Sequence, residues 1–249
     1  MIVAGLQVFE EIDFIKACIK SCCNIFDQVV VFEGSWDTTA KIKGKRSSDG
    51  TIEEIEKLCE SYNNLELLFY NGKHQVDHRC AIWNYCKKYK PDWYLQGDGD
   101  EIFHEKDSTN IKNTLSSYGP LNSLAPQHYL FWNDLRHYEI WNTAGARFFN
   151  VSNLDFTKVS IANCNNMNYD GKRFERNITD NFFIYHPSYV KNENRQILKI
   201  KHRTQDDKRK FPHRLVEGKM HREGRGKEWI DTLNIMKNED LPKYLQEHI

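Results

Sequence analysis

The sequence has little proline and glycine, and it contains no long hydrophobic run. It has 6 prolines and 13 glycines in 249 residues, whereas charged residues make up 28% and aromatic residues 13%. This composition is typical of an ordered globular chain and excludes a low-complexity one. Residues 1–9 are apolar but too few for a membrane span, and they lack the basic stretch of a signal peptide. We therefore expect a soluble, cytoplasmic protein with no transmembrane segment.

Paired cysteines are also missing. The chain has seven cysteines, an odd number, and none of them forms a Cys-x-x-Cys pair. This pattern argues against a disulfide framework and against a structural zinc site. We expect the thiols to be reduced and mostly buried.

The chain as a whole has no excess of basic or acidic residues, but one segment of it is basic. Lys and Arg total 35, as do Asp and Glu, yet residues 191–227 contain 13 basic against 5 acidic residues. Such a segment favours an anionic partner, either a diphosphate, a nucleic acid or a phospholipid-linked glycan. A solvated appendage of mixed charge is the alternative. Few aromatic residues interleave there, so a surface for stacking single strands is not supported.

Short apolar runs alternate with helical patterns over the first 100 residues. The predicted strands are 2–9, 29–32, 65–70 and 93–95, and the predicted helices include 12–22, 51–62 and one capped by Asp77. This alternation predicts an α/β fold with a doubly wound, mostly parallel sheet. Beyond Glu105 we expect a helix at 108–118 and antiparallel strands at 128–132 and 147–151.

Ligands bind such sheets outside the carboxyl ends of the strands, and two stretches lie there. Glu33 and Gly34 end the second strand, and the run SSDGT at 47–51 opens the next helix, with Ser48 or Asp49 as its expected N-cap. The pattern Ser-x-Asp-x-Thr also occurs at 35–39, but no helical pattern follows it, so residues 35–46 are interpreted as an inserted loop. A plain helix cap beside a surface loop is the alternative interpretation of 47–51.

The second stretch is the acidic group Asp98, Asp100 and Glu101, with glycine on both sides of Asp98. Adjacent carboxylates repel one another unless a cation offsets them. Hard oxygen ligands suit Mn²⁺ or Mg²⁺ together with phosphate oxygens. The sequence therefore predicts a divalent metal site here, with a solvated acidic turn as the alternative.

Four segments in this order resemble family 2 glycosyltransferases of GT-A fold. They are VVVFEG at 29–34, SSDGTIEEI at 47–55, HRCAIWNYC at 78–86 and DWYLQGDGDEIFHE at 92–105. The resemblance covers residues 1–105 well and the remainder loosely. It implies a GT-A-like, Rossmann-like domain over 1–190, with a nucleotide-sugar-binding half (1–105) and an acceptor half (106–190). Residues 191–249 would form a basic, helical extension packed on the same domain.

The resemblance also implies an activity and the residues that carry it. It implies metal-dependent transfer of a sugar from a UDP- or GDP-sugar to a glycan or other hydroxyl acceptor, which can be anionic. The nucleotide-sugar-binding residues would be Glu33, Gly34, Ser47, Asp49, Arg79 and Asp98, with Glu33 at the base and Arg79 at the diphosphate. The metal ligands would be Asp98, Asp100 and the late histidine His186, for which a structural role is the alternative.

An inverting transfer needs a carboxylate that removes the proton of the acceptor hydroxyl. The candidates in the second half are Asp134, slightly preferred, and Glu139. Trp132 and Trp141 lie near them in sequence and can stack on a sugar, although ordinary aromatic packing explains them equally well.

Two other functions remain open at this point. A nucleotidyltransferase would use a similar sheet, but it usually has a glycine-rich basic loop after the first strand, where this chain has Phe-Glu-Glu at 9–11. A non-catalytic nucleic-acid-binding protein would use the basic segment at 191–227, and its affinity would fall steeply with salt.

Overall fold

A computed structural model describes residues 1–37, 44–141, 145–163, 165–190, 213–216, 219–222 and 233–247. Within these ranges, every helix is too short or too polar to cross a lipid bilayer. The basic segment at 191–227 lies outside the described residues, apart from one short hairpin.

The described chain combines a large sheet with helices on both of its faces. The strands are β1 (Ile2–Val8), β2 (Gln28–Glu33), β3 (Leu65–Phe69), β4 (Trp93–Asp98), β5 (Ile102–Phe103), β6 (Asn122–Trp132), β7 (His137–Trp141), β8 (Phe148–Asn150), β9 (Val159–Asn163), β10 (Asn166–Tyr169), β11 (Lys172–Arg173), β12 (Glu175–Tyr189), β13 (His213–Val216), β14 (Lys219–Arg222) and β15 (Asn234–Ile235). The α-helices are α1 (Ile15–Ile25), α2 (Thr51–Ser61), α3 (Gln75–Cys86), α4 (Ser108–Ser116) and α5 (Lys243–Gln246). Short 3₁₀ turns lie at Lys87–Tyr89, Glu105–Asp107 and Asn238–Asp240.

The strand order of the large sheet is β3-β2-β1-β4-β8-β6-β7-β15, and β12 pairs with β5 and β6. Strands β1 to β4 are mutually parallel, and β8 enters antiparallel between β4 and β6. This confirms the α/β class and the antiparallel addition. Because β1 is followed by β2 on one side and has β4 on the other, the order reverses between β1 and β4. A crevice at the carboxyl ends of these two strands follows from that reversal.

Strand β1 separates two hydrophobic cores. Ala4 and Leu6 pack with α1 and α2 on one face, whereas Val3 packs with Ile82 and Trp83 of α3 on the other. Successive side chains of a strand point to opposite faces, so a strand buried on both sides reads as a continuous apolar run. The strand predicted at 2–9 is confirmed as Ile2–Val8, and its continuous apolar run fits burial on both faces.

The helix starts differ in detail from the expectation. Helix α2 begins at Thr51 as predicted, but its N-cap is Gly50, whose φ of 96° is left-handed, and neither Ser48 nor Asp49 takes that position. Helix α3 begins at Gln75, earlier than expected, and the Asp77 carboxylate accepts the N–H of its N-cap at 2.9 Å. Asp77 thus caps the helix from within its first turn.

The end of the chain packs on the first half of the sheet. Leu241 and Leu245 are fully buried in the core that α1 covers, and the side chain of Asn24 donates to the Tyr244 hydroxyl at 2.6 Å. In the described part of 191–249 the regular elements are three short strands and the four-residue helix α5. The helical character expected of this extension is limited to α5 and one 3₁₀ turn among these residues. The domain division at residue 190 remains a prediction.

Gly34 directly after β2 generates a test of the fold. Its φ is 144°, and a Cβ there would lie 2.0 Å from the carbonyl oxygen of Tyr70. We expect Gly34→Ala to lower the free energy of unfolding by more than about 3 kcal/mol, because a clash with fixed backbone adds to left-handed strain. Gly171→Ala is the control: its φ is 78° and nothing lies within 4 Å of the added carbon. It should cost about 1 kcal/mol in urea unfolding. Equal losses would show that residue 34 is not held against Tyr70.

Candidate active site

The turn after β4 places three carboxylates in the crevice between β1 and β4. The N–H of Glu101 donates to the carbonyl oxygen of Asp98 at 3.2 Å, and Oε2 of Glu101 accepts the N–H of Asp98 at 3.2 Å. These reciprocal bonds close a tight turn around Gly99 and Asp100. The N–H of Gly99 donates to the carbonyl oxygen of Gln7 at 3.1 Å, which fixes the turn to the end of β1.

Two buried arginines offset this negative charge. Arg79 on α3 is 1% exposed and donates to the Gly97 carbonyl and to one oxygen of the Asp98 carboxylate. Arg147, which precedes β8, contacts Oε1 of Glu101 through Nε at 2.7 Å and Nη2 at 2.6 Å. It also reaches Oδ2 of Asp98 at 3.2 Å. Both oxygens of Asp98 are therefore held by guanidinium groups.

The pKa shifts reflect this pairing. Burial alone would raise the pKa of Glu101, but the charges of Arg147 and His128 outweigh it and hold that pKa well below its ordinary value. Burial alone would lower the pKa of Arg147, yet Glu101 and Asp98 raise it. Both groups are thus ionised at neutral pH, and removing one partner would leave a buried charge uncompensated.

Two histidines on β6 and β12 complete the cluster. Nε2 of His128 lies 3.5 Å from Oε1 of Glu101, Nε2 of His186 lies 3.2 Å from Oδ1 of Asp100, and the two rings are 5.9 Å apart. One ligand atom each from Glu101, His128 and His186 lies within 4.8 Å of the other two. Among the described residues, neither ring nitrogen of His128 nor Nδ1 of His186 has a hydrogen-bond partner. Buried nitrogens without partners beside carboxylates are a donor set that suits a divalent cation.

Glu33 lies on the other side of β1. It pairs in register with Val8, while Asp98 pairs with Gln7, so the two residues flank the end of β1. Their strands, β2 and β4, lie two strand spacings apart, about 10 Å between backbones. Glu33 is fully buried, and its Oε1 accepts the N–H of Ser47 at 2.8 Å. Burial raises the pKa of Glu33, and the bond from Ser47 only partly offsets that rise.

The side chains of the 47–51 run bind the backbone that follows β1. They accept three successive N–H groups: Glu10 to Ser47 at 2.7 Å, Glu11 to Thr51 at 2.9 Å and Ile12 to Asp49 at 3.2 Å. Asp49 also accepts the N–H and the hydroxyl of Thr51, at 3.1 and 2.6 Å. The run therefore fixes one wall of the crevice. The donor-binding roles predicted for Ser47 and Asp49 remain predictions.

The two candidate bases occupy different places. Asp134 lies in the turn between β6 and β7, where its carboxylate accepts the N–H groups of Arg136 and His137, both at 2.8 Å. Burial raises the pKa of Asp134, but these bonds and the His137 ring outweigh it and lower the pKa, which weakens Asp134 as a base. Glu139 lies on β7, two residues before Trp141.

The register brings Glu139, but not Asp134, toward the cluster. Trp141 pairs with His128, and their rings are 6.2 Å apart. Residues two apart on a strand face the same side, so Glu139 shares the face of Trp141. Asp134 lies beyond the end of β6, more than about 13 Å along the strand from His128.

The structure thus gathers Arg79, Asp98, Asp100 and His186, which the sequence singled out from distant segments. Sequence reasoning missed Arg147 and His128. The available signal was a charged or imidazole side chain inside an apolar run, in ARFFNV at 146–151 and QHYLFW at 127–132. Such residues in a buried strand are rare without a partner.

Asp49 generates a test of the crevice wall. We expect Asp49→Ala to lower the free energy of unfolding by about 2 to 3 kcal/mol, because three donors on two segments lose their acceptor. Asp155→Ala is the matched control, since Asp155 accepts the N–H and hydroxyl of Thr157 in the same local pattern on an exposed loop. It should cost clearly less in urea unfolding. A loss as large as that of Asp49→Ala would mean that the bond to Ile12 contributes nothing.

No protein-family model matches the sequence, and no curated protein matches it. Several solved structures are similar. The structure of residues 1–349 of S. aureus TarS has a TM-score of 0.49 and 11% identity, covering 82% of this chain and 64% of that one. The same TarS fragment in complex with UDP has a TM-score of 0.40 and 14% identity, covering 52% and 36%. The mannosyltransferase PcManGT from Pyrobaculum calidifontis, in complex with GDP-Man and Mn²⁺, has a TM-score of 0.43 and 11% identity, covering 85% and 66%. This chain spans less than two thirds of the length of each.

Proposed function

We propose that the chain is a metal-dependent glycosyltransferase that transfers a sugar from a nucleotide-sugar donor to a hydroxyl acceptor. One observation carries the proposal: a buried cluster of carboxylates, guanidiniums and imidazoles lies at the carboxyl ends of β1 and β4, where the strand order reverses. Nucleotides bind α/β sheets at this point. The resemblance of residues 1–105 to family 2 glycosyltransferases supports the same activity.

The two sides of β1 suit the two ends of such a donor. Glu33 and the wall fixed by the 47–51 run lie on the side that fits a nucleoside. Arg79 and Arg147 lie on the side of β4, which fits a diphosphate. Gly34 follows Glu33 and leaves the backbone open to close approach by a ligand.

The charge of the cluster suits a metal-bound diphosphate. Asp98, Asp100 and Glu101 against Arg79 and Arg147 leave one negative charge, which does not attract a diphosphate by itself. A bound Mn²⁺ or Mg²⁺ would supply Lewis-acid charge to the leaving group, and carboxylate and histidine side chains of this cluster would hold it. As the bond between the sugar and the diphosphate breaks, the guanidinium of Arg79 stabilises the developing charge from a fixed position.

The acceptor approaches from the ribbon of β6 and β7. Trp141 is 42% exposed there and offers a ring on which a sugar can stack. Glu139, on the same face, removes the proton of the acceptor hydroxyl in an inverting transfer. Asp134, held in its turn, is the second candidate for this base.

A panel of UDP- and GDP-sugars with Mn²⁺ or Mg²⁺ tests the proposal. We expect release of nucleoside diphosphate with at least one donor, and a rise in melting temperature with the matching diphosphate. Asp98→Asn should slow the release about 100-fold or more, because the two guanidiniums lose the carboxylate that holds them. Asp155→Asn, on an exposed loop, should release diphosphate at the rate of the unmodified protein.

Two outcomes would contradict this function. One is that no donor is turned over and no nucleoside diphosphate raises the melting temperature. The other is that Asp98→Asn releases diphosphate as fast as the Asp155→Asn control.

A further inference from the structure

We infer that the divalent cation of this cleft binds to Glu101, His128 and His186, and not to Asp98, and that it displaces Arg147 from Glu101 when it binds. The inference deepens the proposed function, because it concerns the same cleft. It is tested by metal binding without any nucleotide, so its failure is distinguishable from failure of the proposed function.

The three proposed ligands are buried and incompletely partnered. Glu101 and His128 are each 1% exposed, and His186 is 9% exposed. Neither ring nitrogen of His128 has a hydrogen-bond partner among the described residues, and the same holds for Nδ1 of His186. Two imidazoles with one carboxylate suit a transition metal such as Mn²⁺ or Zn²⁺ better than Mg²⁺, which prefers oxygen ligands.

Asp98 and Asp100 have other partners in this arrangement. Both oxygens of Asp98 are held by the guanidiniums of Arg79 and Arg147. Asp100 contacts Nε2 of His186 at 3.2 Å, which leaves Nδ1 of that ring as the nitrogen for the cation. A carboxylate behind a ligating histidine fixes the orientation of its ring and raises its basicity. Asp100 is thus a positioning residue, whereas Asp98 anchors the two arginines.

Arg147 and a cation compete for the same carboxylate. Nε and Nη2 of Arg147 both contact Oε1 of Glu101, at 2.7 and 2.6 Å, while Oε2 accepts the N–H of Asp98. The three ligand atoms already lie within 4.8 Å of one another. A cation bound between them would take the lone pairs of Oε1 that now accept two Arg147 N–H groups, and its charge would repel the guanidinium.

The released guanidinium stays in the cleft. Its other contacts, to Oδ2 of Asp98 at 3.2 Å and Oδ1 of Asn165 at 2.9 Å, do not involve Glu101. Binding of the cation therefore frees two donors of Arg147 beside the place proposed for the diphosphate. Metal binding and donor binding would be coupled through this one side chain.

Calorimetric titration of the full chain with MnCl₂, without nucleotide, tests the ligand set. We expect Glu101→Gln, His128→Gln and His186→Gln each to weaken Mn²⁺ binding by about 100-fold or more, and Asp100→Asn by about tenfold. Asp98→Asn should weaken it by only about tenfold, clearly less than substitution of a ligand, since it removes a nearby negative charge but no ligand atom. His104→Gln is the matched control, a buried histidine outside the triad, and should bind Mn²⁺ as the unmodified protein does.

A pair of variants at residue 147 tests whether Arg147 and the cation compete for Glu101. Arg147→Gln should bind Mn²⁺ at least about tenfold more tightly than Arg147→Lys, because glutamine removes the competing charge and lysine keeps it. A purely structural role of Arg147 would weaken binding in both variants. Thermal unfolding identifies any variant that fails to fold.

NMR spectroscopy of the unmodified chain tests the same ligand set without a substitution. Zn²⁺ should shift the ring ¹⁵N resonances of His128 and His186 and leave those of His104 unchanged.

The inference is overturned if Asp98→Asn abolishes Mn²⁺ binding while His128→Gln retains it, if Arg147→Gln binds no more tightly than Arg147→Lys, or if the unmodified chain binds no Mn²⁺. Donor turnover by that chain that requires Mn²⁺ or Mg²⁺ together with the donor would leave the proposed function standing in each of these cases.

Discussion

The buried ion pair between Arg147 and Glu101 is the interaction that organises the crevice before a cation binds. It joins the segment before β8 to the turn after β4, and the backbone of Arg147 joins the same parts of the sheet. The N–H of Arg147 donates to Leu124 on β6 at 2.9 Å, and its carbonyl oxygen accepts the N–H of Gln96 on β4 at 2.8 Å. The antiparallel half of the sheet therefore delivers the charge that keeps Glu101, in the turn after β4, ionised.

Such a cluster is poor evidence for stability, since apolar residues of similar volume often stabilise a fold as well or better. A role in binding explains the buried charges better than a role in stability does. Arg79 and Arg147 hold Asp98 from two sides, and His128 and His186 carry nitrogens without hydrogen-bond partners among the described residues. These features together favour a site that is completed by a cation and an anionic ligand.

Local patterns were sufficient to predict the first half of the fold. The apolar runs of β1 to β4 and the helical spacing between them specify parallel strands, and parallel strands place Glu33 and Asp98 at one edge of the sheet. The second half depends on pairings that no local pattern reveals. His128 and Arg147 reach the cluster only because β6 and β8 pair within the sheet.

The choice between Asp134 and Glu139 as the base also cannot be made from local sequence, because it depends on the register of the hairpin formed by β6 and β7. Two carboxylates five residues apart look equivalent in the sequence. Only the pairing of Trp141 with His128 shows which of them faces the cluster. The long-range pairing of strands, and not the local sequence, thus determines which carboxylate faces the cluster.

The most direct test of the account is a crystal structure of the protein soaked with Mn²⁺ and a nucleoside diphosphate. The account predicts an anomalous peak between Glu101, His128 and His186, with the diphosphate beside Arg79 and Arg147 and the nucleoside toward Glu33. A metal bound away from this triad, or a nucleotide outside the crevice between β1 and β4, would contradict it.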